Sequence, residues 1–332
     1  MFWDRDRLLL ALSTKKLQLS SRPQSHAGLL YKAYSAYYDL DLVAESLVEE
    51  QYVRVVPSTD FDLVVQTFEP MKTSASNAHD PKQALILHGY FDHIGLYNHL
   101  IRFLLEHGIR VVAFDLPGHG LSSGDRAAID CFSQYQAAIK SVCNNELKPN
   151  VHTLLIGQST GGAIIADALT SEFKHEMDER FGSWRAALLA PLLKPMSWTK
   201  ALVMHTLLEG KRSYWPRTFM VNSHDEEFLN FIRYEDKLQH HGLSVEWVGA
   251  LRKWIPRMLA RTPVEGSERV TIIQGTDDTT VDWRYNIAQY RKLFPLGSAL
   301  TVDGAGHHLV GESESYRAKV FDALKRGLSL GS

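Results

Sequence analysis

Between Ala84 and Ala190, short apolar runs alternate with stretches of helical period. Ala84–Leu87, Ile109–Phe114, Thr153–Ile156 and Trp184–Leu189 read as strands, the apolar ones of the kind buried on both faces of a parallel sheet. After the first of them, Leu96, Leu100, Phe103 and Leu104 fall on one helical face, and Gly108 closes that helix. Further helices are predicted from about Ile129 to Leu147 and from Ala163 to Leu169. Upstream, Gln51–Val56 and Phe61–Phe68 read as two strands around the turn Pro57-Ser58-Thr59-Asp60. Glu69–Lys82 reads as a polar loop. The alternation resumes late, with a strand at Val270–Gly275, a helix over Tyr285–Phe294, a strand at Ser298–Val302 and a last helix over Glu314–Leu328. This order predicts an α/β fold with a mostly parallel central sheet and helices on both faces. Right-handed crossovers then put the strand C-termini on one edge, where open α/β sheets bind ligands.

Two stretches depart from the pattern. Residues 1–48 look helical and amphipathic, broken at Ser20-Ser21-Arg22-Pro23. They carry no catalytic motif, and the first 45 or so are expected to be dispensable for chemistry. From 191 to 263 the alternation stops. This stretch holds Trp198, Trp215, Trp247 and Trp254, carries more Lys and Arg than Asp and Glu, and has helical runs around Thr199–Leu208 and Glu226–Leu238. It reads as a helical lid inserted into a core made of 49–190 and 264–332. Internal packing accounts for most of its aromatics, but a lid also presents apolar surface to whatever lies beneath, and Trp215, Phe219 and Trp247 are the candidates for that contact.

Composition narrows the class without naming a function. The chain has 332 residues, 45% hydrophobic and 22% charged, with net charge −2, and this near-neutral balance gives no reason to expect a nucleic-acid partner. Cys131 and Cys143 are too few for a disulfide framework and are compatible with a reducing compartment, so a cytoplasmic location is expected. No apolar run is long enough to span a bilayer, and Leu8–Leu12, preceded by alternating Asp and Arg, is too short for a signal-peptide core. Peripheral membrane contact through the lid or the 1–48 arm stays open, as does the oligomeric state.

The chemistry converges on the strand ends. Gly157-Gln158-Ser159-Thr160-Gly161 lies between a strand and a helix, the context in which Gly-x-Ser-x-Gly forms a nucleophile elbow. Small residues at 157 and 161 let strand and helix approach closely, and the helix N-terminus points N–H groups toward any oxyanion formed there. The bland alternative is a glycine-rich turn with an idle serine. His88-Gly89, Asp115 and Ala190-Pro191 also fall at strand C-termini. The adjacent pairs His240-His241 and His307-His308 point their side chains apart, so no metal site is expected. The absence of any Gly-x-Gly-x-x-Gly or phosphate-loop motif argues against a nucleotide cofactor.

Taken in order, His88-Gly89, Asp115-Leu116-Pro117-Gly118-His119-Gly120, Gly157-x-Ser159-x-Gly161-Gly162, Gly275-x-x-Asp278 and Gly304-Ala305-Gly306-His307 resemble an α/β-hydrolase over roughly residues 50 to 330. Within that superfamily the chain is similar to the lysophospholipase and monoacylglycerol lipase branch, whose Gly-Ala-x-His-x-Leu-x-x-Glu tail resembles Gly304 to Glu312. The resemblance implies Ser159 as nucleophile, His307 as base and Asp278 as the acid orienting it. The chain order Ser, Asp, His is the order of that fold. It also implies an oxyanion hole from the backbone N–H groups of Tyr90 and Thr160. Tyr90 departs from the small or flexible residue of many relatives. His308 and Asp277 are the neighbouring alternatives to His307 and Asp278, and Asp115 is the fallback acid. His88, Asp115 and His119 are expected to shape loops.

The resemblance therefore implies a cofactor-free serine hydrolase that cleaves carboxylic esters through an acyl-enzyme, with monoacyl lipids as the favoured substrates. A small-ester esterase or a proline-iminopeptidase-like enzyme would keep the same triad. A binding protein with an idle site is the alternative from another class, and the complete set of three residues counts against it.

Overall fold

The computed structural model describes residues 3–12, 16–19, 25–72 and 82–330. The expected break at Ser20–Pro23 and most of the polar loop around Pro81 lie outside these residues. The described chain forms a nine-stranded sheet and a separate two-stranded one. In chain order the strands are β1 (Leu17–Gln18), β2 (Val48–Pro57), β3 (Asp62–Pro70), β4 (Lys82–Leu87), β5 (Arg110–Phe114), β6 (His152–Gln158), β7 (Trp184–Leu189), β8 (Tyr214–Pro216), β9 (Gly242–Ser244), β10 (Val270–Gly275) and β11 (Ser298–Val302). The helices are α1 (Arg5–Leu12), α2 (His26–Tyr37), α3 (Asn98–Glu106), α4 (Phe132–Glu146), α5 (Thr160–Leu169), α6 (Phe173–Phe181), α7 (Trp198–Leu208), α8 (Glu226–Asn230), α9 (Val245–Leu259), α10 (Trp283–Leu293) and α11 (Glu314–Gly327).

The large sheet runs β1-β2-β3-β5-β4-β6-β7-β10-β11. From β5 to β11 every pairing is parallel, while β1, β2 and β3 join antiparallel at one side. Alternate residues of the central strands face opposite layers. Ala84 and Ile86 enter one hydrophobic cluster with Leu100 and Leu104 of α3, and Leu85 and Leu87 enter the other with Ile139 of α4 and Ile164 of α5. This two-sided burial is why those strands read as unbroken apolar runs.

The N-terminal segment is not purely helical and does not stand apart from the core. Leu17 and Gln18 pair with Val53 and Tyr52 and extend the sheet by a strand. Trp3, Leu8, Leu12, Tyr31 and Tyr34 are buried in the same cluster as Val64 and Ile86. Tyr31 Oη donates to Gln66, whose amide in turn donates to Tyr34. Burying these five side chains contributes roughly 10 kcal/mol at about 2 kcal/mol each, on the scale of a domain's total stability of about 5–15 kcal/mol. The first 45 residues, expected to carry no chemistry, therefore contribute to the stability of the core. Deleting them is expected to abolish cooperative thermal unfolding followed by circular dichroism. A truncated chain melting cooperatively within a few degrees of the full one would contradict this.

Between β7 and β10 the chain builds α7, the β8–β9 ribbon, α8 with a π-helical turn over Phe231–Glu235, and α9. The expected helix over Glu226–Leu238 ends earlier, at that turn. The ribbon and α9 were not predicted. The α9 sequence carries Gly249 and Pro256 inside the helix, both unfavourable in helix interiors. Gly249 is there for contact, since a Cβ on it would lie 2.7 Å from His205 Nε2 of α7.

A buried cluster ties three segments together. Asp236, after the π turn, accepts from Tyr38 Oη at 2.9 Å and lies 3.1 Å from His93 Nε2. Burial pulls the His93 pKa down, but the Asp236 charge and hydrogen bond outweigh it, with Asp115 and Asp92 adding to the rise. Burial likewise pushes Asp236 up, and His93 with its other donors brings it below its ordinary value. The His93 contribution is complete below its unfolded pKa of about 6.5 and is lost as pH rises through the elevated folded value. The Asp236 contribution is present above about 3.9 and is lost as pH falls through the lowered folded value. The melting-temperature gap between the native protein and Asp236→Asn should thus be widest between about pH 4 and 6.5 and narrow at higher pH. A gap that keeps growing above neutrality would refute the pairing.

Candidate active site

Ser159 sits between β6 and α5 with φ 53° and ψ −110°, a strained conformation for a residue with a side chain. The turn is tight enough to require glycine on both sides. A Cβ on Gly157 would lie 2.4 Å from the carbonyl carbon of Gly161, and one on Gly161 would lie 2.2 Å from the Leu87 carbonyl oxygen. The Ser159 N–H donates to the Leu189 carbonyl of the neighbouring strand, which fixes the elbow on the sheet edge.

The hydroxyl meets His307. Ser159 Oγ lies 2.9 Å from His307 Nε2, and His307 Nδ1 lies 2.7 Å from Asp278 Oδ2. All three side chains are buried. Asp278 Oδ2 also accepts from Gln274 Nε2 at 2.8 Å, and Oδ1 accepts from the N–H groups of Thr280 and Val281 at 2.8 and 3.1 Å. Burial raises the Asp278 pKa, but His307 and these donors outweigh it and hold the carboxyl below its usual range. With an ionised acceptor at Nδ1, that nitrogen carries the proton and Nε2 faces the serine with a lone pair.

The neighbouring alternatives lie elsewhere. Asp277 is exposed. Asp115 accepts from the N–H groups of Ile94 and Leu121, and its carbonyl from Ser122 Oγ. His88 Nδ1 donates to the Gly89 carbonyl and Nε2 accepts from the Leu116 N–H, while His119 Nδ1 donates to Pro117, so both histidines hold loops. Thr160 opens α5, so its N–H is among the helix's unpaired first-turn donors. Tyr90 Oη donates to the Ala127 carbonyl, and its ring stacks on Trp247 at 3.8 Å between centroids.

Ser159 and His307 line a cavity of about 410 Å³ with Tyr90, Thr160, Trp215 and Trp247. Phe219 is not in its wall. Its ring packs instead against the guanidinium of Arg217, at 4.4 Å. Arg217 itself is among the residues lining the cavity. Most of the lining from 191–263 is apolar, including Trp198, Ala201, Met204, Leu243 and Val248.

Sequence reasoning missed several groups that hold the site. Glu312 is fully buried and accepts from the N–H of Gly306 at 2.6 Å and of His224 at 2.9 Å, which clamps the His307 loop to the inserted segment. Gln158 Nε2 donates to the His307 carbonyl. Asp92 accepts from the Gly89 N–H and Tyr97 Oη, and lies 3.2 Å from His308 Nε2, close enough for an ion pair though not aligned as a hydrogen bond. The signal for Glu312 was present as the last letter of the Gly-Ala-x-His-x-Leu-x-x-Glu pattern. Asp92 and Gln158 had no signal beyond their nearness to His88-Gly89 and Ser159.

Among the described residues no cluster of His, Cys, Asp and Glu is arranged to hold a metal ion, and no helix is long and apolar enough to cross a membrane.

Comparison with known proteins follows the same lines. A family described as serine aminopeptidase, S33, matches residues 79–314. An uncharacterized abhydrolase domain-containing protein of Dictyostelium discoideum is 30% identical over 177 residues, 51% of this chain and 18% of that protein. A monoacylglycerol lipase of Mycolicibacterium smegmatis is 30% identical over 89 residues, 26% of this chain and 32% of the lipase. The chain thus spans less than two thirds of the length of these relatives. A crystal structure of the Paleococcus ferrophilus monoacylglycerol lipase superimposes with a TM-score of 0.63 at 20% identity, over 81% of this chain and 99% of that one. At that identity the likeness speaks for the fold. The parallel sheet, the strained serine elbow and the family match over most of the chain make this protein an α/β-hydrolase, a member of the serine aminopeptidase S33 family.

Proposed function

We propose that the protein is a serine hydrolase that cleaves carboxylic esters of monoacyl lipids through an acyl-enzyme. The observation that carries this reading is the Ser159–His307–Asp278 relay, with contacts of 2.9 and 2.7 Å, at the wall of a largely apolar cavity. In this account Ser159 Oγ attacks the ester carbonyl while His307 Nε2 takes its proton. The oxyanion is met by the backbone N–H groups of Tyr90 and Thr160. His307 returns the proton to the leaving alcohol, then deprotonates the water that releases the acyl group. Asp278 stabilises the imidazolium in both halves.

Residues 191–263 act as a lid over a core of 49–190 and 264–332, and Trp215 and Trp247 wall the acyl site. Val203, Leu207 and Val221 of the same segment are exposed, an apolar surface suited to peripheral contact with a lipid aggregate. An aminopeptidase reading is less well supported. A free α-amine calls for a carboxylate in the pocket, and Asp92, the single carboxylate lining it among the described residues, is engaged with His308.

The test is kcat/KM across a p-nitrophenyl ester series of growing acyl length. Each buried methylene adds roughly 0.8 kcal/mol. If part of this is realised in the transition state, the rate constant climbs a few-fold per two-carbon step until the cavity is full. Trp215→Ala should flatten the climb. A flat or falling profile in the native protein would remove the lipid-chain reading.

A further inference from the structure

We propose that Arg217 forms a subsite for an anionic group, a phosphate or a carboxylate, carried by the ester that binds at Ser159. The inference rests on the serine-hydrolase reading and narrows its substrate class.

Arg217 follows β8 and lines the same cavity as Ser159 and His307. Its guanidinium packs on Phe91 at 4.0 Å and on Phe219 at 4.4 Å from the ring centroids. Aromatic contacts of this kind fix the guanidinium plane and leave its N–H edge to make hydrogen bonds. Of its five side-chain N–H donors, Nη1 reaches the neutral Gln239 Oε1 at 2.7 Å, its single side-chain hydrogen bond among the described residues.

The charge is under-compensated. Arg54, Arg102 and Arg110 each pair with a carboxylate, whereas Arg217 forms no ion pair among the described residues. Burial pushes its pKa down to about 10, with Asp92, Tyr90 and Asp236 only partly offsetting that cost. Asp92 is already committed to His308, Tyr97 and Gly89. Lys200 adds a second cation to the cavity wall. A desolvated guanidinium with a fixed plane and open donors is matched by a phosphate or carboxylate, which it can bind in bidentate fashion. The apolar wall offers nothing to an anion, so that wall takes the acyl chain and the Arg217 side takes the head of the substrate.

The experiment uses the full chain and three short-chain esters kept monomeric: octanoylglycerol, octanoylglycerol phosphate and octanoylglycerate. The native protein is expected to favour at least one anionic ester over the neutral one by about tenfold or more in kcat/KM at low salt, the scale of hydrogen bonds to a charged group. Arg217→Gln should bring that ratio close to unity, with Arg217→Lys in between. A preference for the phosphate ester alone, or for the carboxylate alone, identifies the head group. Turnover of the neutral ester with no anionic preference in the native protein overturns the subsite and leaves the hydrolase standing, even if Arg217→Gln fails to fold. A preference that survives in folded Arg217→Gln also overturns it. No turnover of any ester overturns the hydrolase reading and the subsite with it.

Discussion

Ser159→Ala is expected to lower kcat on an ester by about 10⁶-fold, the scale on which a hydrolase triad fails when its nucleophile is removed. The substitution deletes the atom proposed to form the acyl-enzyme and leaves the rest of the site intact. His307→Ala should cost about as much, and the double variant little more, because neither residue does its work without the other. The fold should survive. The strained φ of 53° at position 159 is imposed by β6 and α5, and alanine tolerates it no better and no worse than serine. Ser159→Gly should even raise the melting temperature, since glycine adopts positive φ without steric cost. A Ser159→Ala protein that kept more than a hundredth of native turnover would show that another group carries the reaction.

Asp278→Asn is the second large effect, a loss in kcat of about 10⁴-fold by analogy with serine proteases. The reason lies in which atoms face the side chain. Oδ1 accepts two backbone N–H groups, from Thr280 and Val281. An asparagine would place its carbonyl oxygen there, which leaves its NH₂ toward His307 Nδ1, where Oδ2 now accepts at 2.7 Å. Nδ1 must then accept, the imidazole proton moves to Nε2, and the nitrogen facing Ser159 can no longer take its proton. Asp277→Asn should stay within a few-fold of native, since Asp277 is exposed and outside the relay. Steady-state kinetics on the two variants decides the matter, and the reverse ranking would refute the assignment.

The sheet was legible because its central strands are buried on both faces and the more exposed edge strand β11 still follows the strand–helix alternation. Trp184–Leu189, Val270–Gly275 and Ser298–Val302 appear with the predicted bounds. The meeting of Ser159, Asp278 and His307 was legible for a different reason, since each follows a strand in a short motif whose spacing brings it to one sheet edge. What stayed hidden depends on contacts distant in sequence. Gly249 and Pro256 disguise α9, although the helix forms because Trp247, Leu251 and Trp254 are buried against the core and Gly249 admits α7. The packing of the N-terminal segment was not legible, because its amphipathic pattern does not say what its apolar face meets, and that face meets the core of the main sheet. Phe219 could not be separated from Trp215 by residue type, and only the fold shows that it packs on Arg217 rather than lining the cavity. Asp92 and His308 likewise meet across a separation that no local motif encodes.

The central claim is that Ser159 carries the acyl group. It is tested most directly by treating the native protein with a fluorophosphonate probe and locating the adduct by peptide mass spectrometry. The account predicts one adduct, on the peptide containing Ser159, formed slowly or not at all in His307→Ala and absent in Ser159→Ala. An adduct on another residue, or labelling that persists in Ser159→Ala, would contradict it.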